Sequence, residues 1–528
     1  MIVPLSVLEF RDRAEMYFGE KIGVIDGDRA FTYGQYAERT HRLANALRSL
    51  GVQRGDRISF LCYNTHHLLE AYYGVIEAGA ILNPINVRLT PHDIGYILNH
   101  SGSRAVFFHR DFAPLLQEVR DSLARTGIFV VMEGEAGGMA THEYEGLLAS
   151  ASPEYRAPEF DENDVAELFY TSGTTGQPKG VSLTHRNLHL HAIYSALAIG
   201  HCDADVILHV VPLFHVNGWG TPHTITMCGG THVILRKFDP AALLTLIEKH
   251  SVTHLLAVPV IYNALVHHPE LSRFNLSSLK FMLTGGAPAS PTLIRAMEEK
   301  LHGIAMVGYG LSETSPVICL AKPRIHLTDR EPPEMKQARQ AMTGWATPGA
   351  QLRVVDSSGR DVQANGQQIG EIVVRSNVVM QGYYREPDAT DAVMRNGWFH
   401  TGDMAVLDSE GYILIKDRSK DIIISGGENI SSIEIEIVVL QHPSIFEAAV
   451  VAAPDEEWGE VPVAIVVLKP GAQATADELI EHCRNHLAHF KVPKQIQFRE
   501  QLPKGGTGKI LKAELREPFW KGMEKRVH

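Results

Sequence analysis

The chain has 528 residues, 45% of them hydrophobic and 21% charged, and carries a formal net charge of −12. A single hydrophobic core stops growing at roughly 250–300 residues, so the length implies more than one domain, and the composition excludes wholesale disorder. The acidic balance excludes a nucleic-acid backbone or an anionic membrane as the main partner, but allows a phosphorylated ligand at a local positive site.

Thr32 and Gln35 form a capping box ahead of a helix whose Tyr36, Leu43, Leu47 and Leu50 share one face, with Gly51 closing it. The pattern then alternates: strand 57–63, helix 66–79, strand 80–85, capped helix 90–102 and strand 104–109. It resumes with strand 231–236, helix 239–250, strands 252–259 and 279–286, and helix 290–300. Strands alternating with helices of this length predict an α/β fold with parallel sheets covered on both faces. Beyond residue 345 the texture changes to short β-rich runs, 351–360, 370–376 and 411–418. A helix at 431–443, a strand pair at 447–468 and a helix at 475–490 follow, the size of a small α+β domain. The expected division is a large N-terminal domain over 1–418, with a β-rich subdomain at about 345–418, and a small mobile C-terminal domain over 419–528.

Charge at Glu9 and Arg11 interrupts any signal peptide, and no run of 18 apolar residues occurs, so a cytoplasmic chain without a membrane span is expected. The cysteines, Cys62, Cys202, Cys228, Cys319 and Cys483, are scattered and never form a CxxC pair, which predicts a reduced protein without a structural zinc. His185 and His189 have metal-ligand spacing on a helix, but no HExxH glutamate or cysteine accompanies them, so they are expected to be packed or solvated.

The stretch "YTSGTTGQPKG", 170–180, places four hydroxyls, Thr171, Ser172, Thr174 and Thr175, around Gly173, and ends on Lys179. Successive N–H groups and hydroxyls in such a loop make an anion cradle, and the lysine adds a point charge. It is not a Walker A loop: from Gly173 the second glycine should fall at 178, which is Pro, and position 180 is Gly. Thr184 is placed to cap the helix that follows. "GYGLSET", 308–314, combines backbone-exposing glycines, an aromatic face, a hydroxyl and a carboxylate, which suits a nucleotide with a divalent cation.

These blocks resemble the adenylate-forming superfamily of acyl-CoA synthetases, luciferase-like enzymes and peptide-synthetase adenylation domains. After the glycine loop six blocks follow in the family's order: 212–218, 285–288, 308–314, 398–403, 415–430 and 502–510. The resemblance implies an ATP-dependent ligase using Mg²⁺ and coenzyme A as co-substrate, in the branch similar to methylmercaptopropionate–CoA ligases. It implies that Ser172, Gly173, Thr174, Thr175 and Lys179 hold phosphates, that Glu313 and Thr171 face Mg²⁺, and that Ser312 lies near the α-phosphate. Gly286, Ala287, Pro288, Gly308 and Tyr309 would flank the adenine, and Asp403 and Arg418 the ribose. Lys509 would be the catalytic lysine, Lys420 the hinge, and Gly426 with Gly427 the wall of the CoA tunnel, while Lys512 is expected at the surface. His215, Trp219 and Gly285 would border the acyl pocket, with His215 and Trp219, four apart, on one helical face. The truncation by Trp219 points to a short- or medium-chain or thioether-bearing acid. An aryl-acid CoA ligase, a carrier-protein-loading ligase, a luciferase-like oxygenase and an inactive nucleotide-binding regulator are the alternatives. The resemblance also allows a homodimer.

Overall fold

The Thr32 hydroxyl accepts from the Gln35 N–H while the Gln35 side chain accepts from the Thr32 N–H, so the predicted capping box opens the helix Tyr33–Ser49. The same reciprocal cap occurs at Thr90 and Asp93, ahead of Pro91–Ser101, and at Thr184 and Asn187, ahead of His185–Ile199. The computed structural model describes residues 1–135, 138–171, 177–426, 428–504 and 510–521. It divides into two compact units, residues 1–351 with 375–397, and residues 352–374 with 398–528.

Among the described residues, the first unit holds a sheet of nine strands and one of eight. In the nine-stranded sheet, Ile22–Asp26, Thr231–Ile234, Val206–His209, His254–Ala257, Phe281–Thr284 and Ile304–Gly310 lie parallel in that spatial order. Leu208, Leu255, Met282, Leu283 and Met306 of these strands are almost completely buried. They read as continuous apolar runs because helices in such folds cover both faces. The eight-stranded sheet is built on Arg57–Leu61, Ile81–Pro84 and Ala105–Phe108, again parallel. It ends in an antiparallel hairpin, Val165–Thr171 with Lys179–Thr184, to which the two-residue strand Gly382–Tyr383 adds.

In the second unit, Gly370–Ser376, Trp398–Leu407 and Ile413–Arg418 form an antiparallel run. A further sheet contains the long hairpin Ile445–Asp455 with Gly459–Leu468. It packs with the helices Ser432–Leu440 and Ala476–His486 around Ile435, Val450, Val466 and Leu479. Among the described residues, no helix is long and apolar enough to cross a membrane.

Candidate active site

Two of the blocks sit at one edge of the nine-stranded sheet. Gly285 to Pro288 follow the end of Phe281–Thr284, and Gly308, Tyr309 and Gly310 end the neighbouring parallel strand. This is the carboxyl edge, where open parallel sheets hold their ligands. Gly286, Ala287 and Pro288 are exposed there, and Ser312 opens a buried turn, Ser312–Thr314. Gly285 is dictated by this crossing: a Cβ there would meet the Gly308 carbonyl oxygen at 2.7 Å.

The hairpin supplies the third block. Thr171 stands opposite Lys179 across the two strands, its hydroxyl 3.5 Å from the Lys179 carbonyl. Ser172, Gly173, Thr174 and Thr175 lie outside the described residues. Tyr383, on the added strand, joins this block to Glu313. Its ring centre is 5.1 Å from Lys179 Nζ, and its hydroxyl donates to Glu313 Oε1 at 2.8 Å. The Met380 N–H donates to the Glu313 carbonyl, so the segment 380–383 grips Glu313 by backbone and side chain together. The sequence reading did not include Tyr383. A two-residue strand has no periodicity to reveal it.

The expectation for His215 and Trp219 needs correction. Residues 216–219 all have positive φ, with Val216 at 41°, Asn217 at 39°, Gly218 at 52° and Trp219 at 61°. They make a left-handed turn rather than a face of a right-handed helix, and four apart no longer means side by side. The turn is anchored by Asn217, which donates to Glu167, and Glu167 in turn pairs with His223 at 2.7 Å, all three buried. The turn lays the Trp219 indole along the glycines: its Cη2 lies 3.4 Å from where a Gly285 Cβ would stand. Trp219 therefore does lie against Gly285. Trp219 also lines a cavity of about 10 Å³, together with Leu256, Leu283, Val317 and Leu320. That is room for about one water.

In the second unit, Asp403 and Arg418 face each other across antiparallel strands, with Arg418 Nε 2.7 Å from Asp403 Oδ1. Gly426 has φ 59°, and a Cβ there would lie 2.8 Å from the Trp458 ring, so Trp458 covers this glycine. Burial holds the Lys420 ammonium below its usual range, and its carbonyl accepts from Arg516. Gly427 and Lys509 lie outside the described residues. Lys512 is not at the surface. Its ammonium bonds Ser432 Oγ at 2.6 Å and Glu436 at 2.7 Å. Asp417, whose carboxylate accepts from both the N–H and the hydroxyl of Ser432, completes the cluster, and burial pushes it and Glu436 above the usual carboxylate range. The last helix turns Lys512 inward onto these carboxylates, which its sequence position could not show.

Residues 10–384 match the model of the AMP-binding enzyme family, and 434–509 match the AMP-binding enzyme C-terminal domain. The chain belongs to the AMP-binding enzyme family. Within it, the chain is 37% identical to a 3-methylmercaptopropionyl-CoA ligase of Ruegeria lacuscaerulensis, over 98% of both chains. It is 39% identical to a long-chain-fatty-acid–CoA ligase of Thermus thermophilus, over 98% of this chain and 96% of that one. The crystal structure of an anthranilate CoA ligase in complex with anthranoyl-AMP superposes with a TM-score of 0.90 at 26% identity, over 98% of each chain. This AMP-binding enzyme is an acyl-CoA ligase that works through an acyl-adenylate.

Proposed function

We propose that this ligase activates a short- or medium-chain carboxylic acid, thioether-bearing acids included. The observation that carries this reading is Trp219, whose ring lies against Gly285 and walls a cavity of only about 10 Å³. The three relatives take a thioether acid, a long-chain acid and an aryl acid by name, so membership leaves the acid open and the pocket wall must decide it.

In the first half-reaction the acid's carboxylate attacks the α-phosphate of ATP and pyrophosphate leaves. Lys179 and the hydroxyls of the glycine loop hold the leaving phosphates, and Ser312 lies beside the α-phosphate. The oxygen donors Glu313 and Thr171 suit Mg²⁺, a hard cation, and Tyr383 fixes the Glu313 carboxylate for that duty. When bound, Mg²⁺ supplies neutralising charge to the triphosphate. Tyr309 and the Gly286 to Pro288 loop flank adenine, while Asp403 with Arg418 take the ribose. Lys509 stabilises charge at the reacting centre. In the second half-reaction the CoA thiol displaces AMP, its pantetheine arm passing Gly426 and Gly427, after the C-terminal domain turns about Lys420.

The test is the chain-length profile of CoA-dependent pyrophosphate release. The reading requires a maximum among short or medium acids; a maximum at long-chain or aryl acids overturns it.

A further inference from the structure

A second set of donors lies in the first unit, on elements that carry none of the adenylation blocks. The helix His185–Ile199 stops at Gly200, and the chain turns through His201, Cys202 and Asp205 into the strand Val206–His209. Asp205 folds back over this turn: Oδ2 accepts from the Cys202 N–H at 3.0 Å and stands 2.9 Å from His201 Nδ1. Its other oxygen, Oδ1, is 3.7 Å from His254 Nδ1 and 3.6 Å from the Cys202 sulfur. His254 opens the neighbouring parallel strand, in register with Ile207. The two imidazole centres are 4.6 Å apart. One donor atom each from His201, Asp205 and His254 lie within 4.8 Å of one another, on side chains only 2%, 3% and 7% exposed.

We propose that His201, Asp205 and His254 bind a divalent transition-metal ion of the zinc class, with the exposed Cys202 side chain, 3.6 Å from Asp205 Oδ1 and outside that three-donor group, turning in as the fourth donor. Two imidazoles, a carboxylate and a thiolate are a donor set for a borderline-soft tetrahedral ion and a poor one for Mg²⁺ or Ca²⁺. The carboxylate and thiolate together neutralise a doubly charged ion. His201 and Asp205 are set by one turn and His254 by the adjoining strand, so the backbone fixes the spacing of these three. The Lys21 ammonium is engaged by the carbonyls of Asp203 and Gly229 and acts on Asp205 and Cys202 only at longer range.

A second histidine cluster shows what a site already taken looks like. His66 Nδ1 is 2.7 Å from Asp26, its Nε2 is 3.4 Å from Arg29, and Glu145 receives two bonds from Arg39. Guanidiniums have already satisfied the carboxylates there. At the His201 cluster, no ion pair with a lysine or arginine occupies Asp205 among the described residues, and a bound ion would have to displace the Thr253 hydroxyl, 2.8 Å from His254 Nδ1.

The bound ion would clip the turn after the helix to the start of the strand His254–Ala257. His201 also lines the cavity that Trp219 walls, so the clip would brace one wall of that cavity. The sequence expectation of no structural zinc rested on cysteine spacing. Only one of these four donors is a cysteine, and His254 lies about fifty residues beyond the others.

The test uses the full-length protein, stripped with chelator and titrated with Zn²⁺ against a chromogenic competitor. One tight ion per chain is expected. His254→Gln should weaken it about 100-fold or more, and the exposed Cys202→Ser about 10-fold. With Co²⁺, a thiolate-to-metal charge-transfer band should appear and vanish in Cys202→Ser. His66→Gln should retain full affinity. Circular dichroism checks that each variant is folded, and the exposed Cys202→Ser decides the matter if His254→Gln is not. No tight ion in the wild type, equal affinity in all variants, or no charge-transfer band overturns the four-donor site.

Discussion

The Tyr383 hydroxyl donates a 2.8 Å hydrogen bond to Glu313 Oε1, linking residues 70 positions apart. The same ring lies 5.1 Å from Lys179 Nζ, so one phenol ties the lysine of the glycine-rich hairpin to the carboxylate of the next block. Neither block alone fixes its partner. Tyr383 does, from a strand that pairs with the hairpin.

Tyr383→Phe keeps the ring beside Lys179 and removes the bond to Glu313. Hydrogen bonds to charged groups contribute about 1.5–3 kcal/mol, so adenylation should slow about 10- to 100-fold. Pyrophosphate release measured against Mg²⁺ concentration should show a raised Mg²⁺ requirement. An unchanged Mg²⁺ dependence would remove Tyr383 from the site.

Trp219→Gly should extend the range of acids accepted. Each added methylene in an apolar pocket is worth about 1–3 kcal/mol, so kcat/KM for an acid two methylenes longer should rise about tenfold or more. Glycine suits the φ of 61° at this position, so thermal stability should not fall through backbone strain. Chain-length profiles of the two proteins check this, and identical profiles would contradict it.

How far the sequence reached follows the range of each interaction. The caps at Thr32, Thr90 and Thr184 were legible because both partners lie within three residues. The parallel strands were legible from apolar runs and glycine punctuation, and the edge blocks from their glycines. The left-handed turn at 216–219 was not, because Asn217 is held by Glu167, fifty positions away. Lys512 was read as a surface residue for the same reason: Ser432 and Glu436 lie about eighty positions earlier.

Lys512→Met should destabilise the second unit. It leaves the buried carboxylates of Glu436 and Asp417 without their ammonium, and breaking such a pair costs about 3–5 kcal/mol. Adding Glu436→Gln should recover part of that loss. Chemical denaturation of the single and double variants measures both, and additive losses would contradict the shared pairing.

Acid should destabilise the protein above the pH range of its ordinary carboxylates. Burial lowers His185 to about 4, and His191 and His209 each to about 3. Unfolded histidine titrates near 6.5, so between about pH 6.5 and 4 the unfolded chain binds more protons. The stabilisation is complete above pH 6.5 and is lost as pH falls through that window, by up to about 1.4 kcal/mol per pH unit for each histidine. His191→Gln should flatten the dependence of melting temperature on pH between 7 and 5, read by calorimetry. An equal slope in both proteins would count against a depressed His191.

If Lys509 acts as proposed, only as charge builds on the phosphate, Lys509→Ala should abolish adenylation while sparing thiolation of a supplied acyl-adenylate. Separate assays of the two half-reactions check this. Equal loss of both would show that Lys509 serves the fold or both steps.

The most direct measurement is pyrophosphate release from Mg·ATP over a panel of carboxylates, each with and without CoA. Sustained turnover only with CoA, strongest for short or medium acids and with the acyl-CoA found by mass spectrometry, is the predicted result. A single stoichiometric burst that CoA does not extend would point to a carrier-protein acceptor, and silence with every acid to an inactive nucleotide-binding protein. Either result would contradict the acyl-CoA ligase reading.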